Sequence, residues 1–107
     1  MTNRDISNQK EVWLKKLKDQ GKLPDPKEDH SRGLRALQNT TRREILMYIG
    51  KDTKNTEEIK IDFNLEDSQA NFHLSMLEQA LFIEKTKTGW RLTPRGIGYL
   101  KNVELVE

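Results

Sequence analysis

Gln69, Phe72, Ser75 and Gln79 fall three and four residues apart, so on a helix they form one stripe carrying two amides, a hydroxyl and an aromatic ring. Ala70, Leu74, Leu77 and Leu81 occupy the opposite stripe, which marks Leu65–Lys85 as an amphipathic helix running into a strand. Such groups recognise rather than react. The amides of Gln69 and Asn71 can each make paired hydrogen bonds to an adenine edge, worth roughly 1–3 kcal/mol of discrimination. The plain alternative is a solvated helix face. An exposed Phe72 has three uses open to it: contact with a thymine methyl, contact with a protein partner, or packing back on the following hairpin. Bond-breaking chemistry is not expected, because the sequence has no cysteine nucleophile, no glycine-rich phosphate loop and no converging His, Asp and Ser set.

The 107 residues suit one compact domain with an appendage. Charged residues make up 34% of the chain against about 25% in ordinary domains, so the core must be small and well patterned. The longest uninterrupted apolar run is Ile45–Ile49, far short of the roughly 18 residues that a membrane span needs. The first residues are polar and give no secretory leader, and a cytoplasmic location without membrane contact is expected. Without cysteine there is no disulfide framework and no thiolate metal site, so neither metal nor cofactor is expected.

A net charge of +2 does not argue for nucleic acid by itself, but its distribution is uneven. Residues 31–56 hold six basic and two acidic side chains, residues 57–82 one basic and six acidic, and residues 83–107 five basic and three acidic. Basic charge therefore brackets the candidate reading helix. Glu66 and Asp67, at its start, suit the positive end of the helix dipole but oppose a phosphate backbone. Arg42 and Arg43 open another helix, where positive charge opposes the dipole, and phosphate contact is the expected use. Lys85, Lys87 and Arg91 suit minor-groove or backbone contacts from a hairpin.

The elements that position these residues follow from caps and periodicity. Asn8 with Glu11 predicts a helix over about 8–20 with a thin stripe of Trp13, Leu14 and Leu17, followed by Gly21–Asp29 as a proline-containing linker. A brief helix starts at Leu34 and ends near Asn39. Thr41 with Glu44 and Asn55 with Glu58 then have capping-box spacing, opening helices that end at Gly50 and near Phe63. Asp62–Asp67 is a tight connection into the amphipathic helix, which makes a helix-turn-helix. Thr88-Gly89 turns a hairpin of Ile83–Thr86 and Trp90–Thr93, and Thr93-Pro94 caps a last helix whose inward residues are Ile97, Leu100 and Val103.

In this order LRALQNTTRREILMYI at 34–49, NFHLSMLEQALFIEK at 71–85 and WRLTPRG at 90–96 resemble the winged helix-turn-helix proteins of the ArsR-like kind among prokaryotic transcription regulators. The likeness spans about residues 31–103. It implies a mainly α fold with a small β-hairpin wing and, in this chain, an extra N-terminal helix. It also implies a DNA-contacting face of Ser68, Gln69, Asn71, Phe72 and Ser75, together with a wing of Lys85, Lys87 and Arg91. Three departures stand out: Phe72 and Ser75 lie where family members commonly carry a basic residue, Leu81 replaces the usual glycine before the wing, and the family's metal ligands are missing. His73, at the family's recurrent histidine, is expected to be structural.

The reading is an N-terminal helix and linker over 1–29, then a winged helix-turn-helix domain over 30–107. It predicts a transcription regulator that binds double-stranded DNA as a homodimer, with the 8–20 helix and the last helix as candidate dimer elements. The alternative is a winged-helix protein-interaction module with little or no DNA binding, suggested by the acidic helix region, Phe72 and the apolar N-terminal stripe.

Overall fold

The computed structural model describes the backbone of residues 3–106 and the side chains of residues 9–103. Its elements are α1 (Asn3–Asp19), α2 (Pro26–Leu37), α3 (Thr40–Ile49), α4 (Thr56–Asp62), α5 (Asp67–Gln79), β1 (Ile83–Lys85), β2 (Trp90–Leu92) and α6 (Pro94–Val106). Among the described residues, six helices and a two-stranded antiparallel hairpin make the fold mainly α with a wing, as expected.

Several boundaries differ from the sequence expectation, each for a local reason. α1 starts at Asn3, so Asn8 lies inside the helix rather than capping it, and its side chain is outside the described residues. α2 starts within the expected linker, because Pro26 occupies its first turn, where the missing N–H is no loss and Glu28 and Asp29 suit the dipole. α3 is capped by Asn39, whose Oδ1 accepts from the Arg42 backbone N–H at 3.1 Å, rather than by Thr41. The Asn55–Glu58 box forms as spaced: Glu58 N–H donates to Asn55 Oδ1 at 2.8 Å and Asn55 N–H to Glu58 Oε1 at 3.0 Å. Thr93 caps α6, accepting from the Gly96 N–H at 3.2 Å.

The core lies between the helices and the inner face of the hairpin. Ile45, Leu46 and Ile49 of α3 meet Ile59 of α4, Leu74 and Leu77 of α5, and Ile83, Trp90 and Leu92 of the wing. Burial of such aliphatic side chains stabilises by roughly 1.5–3 kcal/mol each. Trp13 and Leu17 of α1 are buried while Leu14 is exposed, so α1 docks by a two-residue edge, and it packs on α6. On α6 the residues against the core are Tyr99 and Leu100, whereas Ile97 is exposed, in contrast to the inward position expected for it.

The wing is anchored on three sides. Ile83 pairs with Leu92, Glu84 with Arg91 and Lys85 with Trp90. Lys54 adds an antiparallel bridge to Trp90, its N–H donating to the Trp90 carbonyl at 2.9 Å and its carbonyl accepting from the Trp90 N–H at 2.7 Å. Trp90 Nε1 donates to Thr56 Oγ1 at 3.1 Å, tying the hairpin to the start of α4. This close approach requires Gly89: at φ +151°, a Cβ there would sit 2.6 Å from the Lys54 carbonyl oxygen.

Candidate nucleic-acid interface

α4 and α5 form the helix-turn-helix. Asn64, at φ +52°, reverses the chain after α4, and the Leu65 N–H closes the turn on the Lys60 carbonyl at 2.9 Å. Lys60 Nζ then reaches Asp67 Oδ1 at 2.5 Å and Glu57 Oε1 at 3.3 Å. Hydrogen bonds to Asp67 and then Glu57 raise the Lys60 pKa. The acidic start of α5 is thus partly offset by a cation on α4, which reduces the repulsion that the sequence places there.

The outer face of α5 divides into engaged and free groups. Gln69 Oε1 accepts from the Glu66 N–H at 2.9 Å, so this residue serves as the far half of a capping box. The signal for that role is the Glu66 to Gln69 spacing, which escapes notice because Glu is an uncommon cap. Ser75 Oγ accepts from Gln79 Nε2 at 3.1 Å and is half-buried. Ser68, Asn71 and Phe72 are exposed, Phe72 at 58%. The α5 stripe therefore presents a hydroxyl, an amide and a ring outward.

The arginine pair at the start of α3, expected to contact phosphate, is engaged within the fold. Arg42 is 6% exposed, and its Nε and Nη2 donate to the carbonyls of Ala36 and Arg35 at 2.8 and 3.0 Å. Arg43 Nη1 donates to the Leu37 carbonyl at 2.6 Å and its Nη2 to Thr40 Oγ1 at 3.0 Å. Together they cap successive carbonyls at the end of α2, that of Arg35 shared with the Gln38 N–H at 3.3 Å, where positive charge also suits the dipole. The charge that is unfavourable for α3 is favourable for the helix before it. Burial lowers the Arg42 pKa.

Arg42 also underlies the outer face of α5. Its Nη1 lies 3.2 Å from His73 Nδ1, and its guanidinium carbon lies 5.8 Å from the centre of the Phe72 ring. Because guanidinium only donates, His73 Nδ1 must accept, which places the imidazole proton on Nε2. Burial first, and Arg42 second, hold the His73 pKa below its ordinary value. His73 thus ties α5 to α3.

On the wing, Arg91 Nε is paired with Glu84 Oε2 at 2.8 Å across the strands, and Lys85 Nζ lies 5.5 Å from the Trp90 ring centre. Lys87 stands exposed near the turn. A further arginine that the sequence did not single out completes the support of α5: Arg95 Nη1 donates to the Ala80 carbonyl at 3.1 Å while its fork grips Asp29 at 2.6 and 2.7 Å. Leu81, next along, holds φ +65°, a left-handed position whose usual residue is glycine.

No protein-family model matches the chain. A protein of Archaeoglobus fulgidus, described only as uncharacterised, is 33% identical over 75 residues, covering 70% of this chain and 86% of its own length. Among solved structures, a homodimeric winged helix-turn-helix DNA-binding domain from Mycobacterium bovis, part of a possible ArsR-family transcriptional regulator, superposes with a TM-score of 0.63. That likeness covers 74% of this chain and 77% of the other at 20% sequence identity, and it establishes a shared fold.

Proposed function

The chain belongs to one family with the Archaeoglobus fulgidus protein and has the winged helix-turn-helix fold, and from that premise we propose that it is a transcription regulator that binds double-stranded DNA as a homodimer. The observation that carries this reading is the outward presentation of Ser68, Asn71 and Phe72 on the second helix of the helix-turn-helix, followed directly by a wing with exposed Lys85 and Lys87. In this reading Asn71 and Phe72 meet base edges, and Lys85 and Lys87 meet phosphates. Ser68 adds a hydroxyl at the edge of the same face. Gln69, Ser75, Arg43 and Arg91 contribute only with the donors that their internal hydrogen bonds leave, while Arg42 acts from beneath. The homodimer is supported by the exposed Val12 and Leu14 on α1, which packs on α6, and by the homodimeric state of the Mycobacterium domain. A two-fold pair doubles the phosphate contacts.

Titration of sheared genomic duplex with labelled protein across a salt series tests the proposal. With about four to six phosphate contacts, log affinity falls linearly with log salt at about 0.9 per contact. Absence of binding at low salt overturns it, and a monomer mass in solution overturns the homodimer.

No helix among the described residues is long and apolar enough to cross a membrane.

A further inference from the structure

We infer that Phe72 is the specificity-determining residue of α5 and that it reads the C5-methyl group of thymine in the major groove. This deepens, and rests on, the DNA-binding reading above.

Three observations lead there. Two of the polar groups on the same helix face are already engaged, Gln69 by the Glu66 N–H and Ser75 by Gln79, so their capacity for paired contacts to a base is reduced. Phe72, by contrast, is 58% exposed at the centre of the outer stripe, one turn from both Ser68 and Ser75. Its position at the middle of that face, rather than its exposure alone, places its apolar edge where a partner would dock. Beneath it, the guanidinium of Arg42 lies 5.8 Å from the ring centre and is itself fixed by the carbonyls of Ala36 and Arg35 and by His73. A ring standing on a buried, triply held cation is preorganised, so docking costs it little conformational freedom.

The edge that such a ring can distinguish follows from groove chemistry. Base edges in the major groove present hydrogen-bond donors and acceptors, with one apolar feature, the methyl group of thymine. Phenylalanine has no polar atom with which to read the others. Asn71, exposed at the neighbouring position, supplies a complementary amide for adenine. The pair therefore favours A·T-rich sites, with Phe72 sensing the methyl.

Replacing thymine by uracil removes that methyl while leaving base pairing intact, which isolates the contact. Affinities of the full chain are measured at low salt for two alternating duplexes, deoxyadenosine–thymidine and deoxyadenosine–deoxyuridine. Wild type binds the thymidine duplex about fourfold more tightly for each buried methyl. Phe72→Ala binds both duplexes equally, and Phe72→Leu, still apolar, retains the preference. Equal binding of the two duplexes by wild type, or a preference that survives in Phe72→Ala, overturns the inference while leaving DNA binding in place. Failure to bind either duplex while sheared genomic duplex is bound also overturns the inference, whereas failure on all three overturns the DNA-binding reading itself. Because Phe72 is exposed, unchanged melting of both variants verifies that only the surface has altered.

Discussion

Arg42 Nη1 and His73 Nδ1 lie 3.2 Å apart, so a buried cation on α3 is satisfied by a neutral imidazole on α5. The contact binds the protonation state of His73 to the stability of the fold. Burial and Arg42 lower its pKa from the ordinary 6.5, so below that pH the unfolded chain binds the proton more readily than the folded one. Stability is therefore complete above 6.5 and falls as pH is lowered through that value. Melting curves between pH 8 and pH 5 for wild type and His73→Gln measure this. Glutamine can accept from Arg42 without titrating, so its curve falls less, and an identical fall would assign the pH dependence to other groups.

Arg42→Ala leaves the Ala36 carbonyl without its side-chain donor and the Arg35 carbonyl with only the Gln38 N–H, and is expected to lower unfolding free energy by about 2–3 kcal/mol. Arg42→Lys should also destabilise, since an ammonium cannot span the three separate acceptors that the guanidinium reaches. Urea unfolding decides the matter. A lysine variant as stable as wild type would mean that charge alone suffices at this position.

The wing residues are expected to separate by their partners. Lys87 is exposed, whereas Arg91 is paired with Glu84. Lys87→Gln should therefore lower the salt dependence of DNA binding by about 0.9 in slope, whatever the sequence. Arg91→Gln should have a smaller effect. Equal slopes for wild type and Lys87→Gln would remove Lys87 from the interface.

Gly89→Ala should cost about 2–4 kcal/mol, because its Cβ would press on the Lys54 carbonyl and its φ is one that side chains avoid. Thermal melting of this variant tests whether the Lys54 bridge holds the wing. Unchanged melting would mean that the strand and wing separate without loss.

The parts of the fold legible in the sequence are those written locally. Asn55 and Glu58 cap α4 as their spacing implies, Thr93 and Pro94 open α6, and Thr88-Gly89 turns the hairpin. What was not legible depends on where separate segments meet. Arg42 and Arg43 look like surface cations because nothing in the local pattern shows that their side chains fold back six and seven residues onto the carbonyls at the end of α2. Arg95 and Asp29 are 66 residues apart, with no periodicity to link them. At the candidate site, the exposed positions of Asn71 and Phe72 follow from the helical stripe, but the engagement of Gln69 does not, because the same amide serves equally well as a cap or as a reader.

The location of the DNA-binding surface is tested most directly by amide chemical-shift mapping of the labelled chain titrated with a short A·T-rich duplex at low salt. The largest shifts are expected at Ser68–Ser75 of α5 and Lys85–Gly89 of the wing, with α1 little changed. Shifts confined to α1 and α6, or none at saturating duplex, would contradict this expectation.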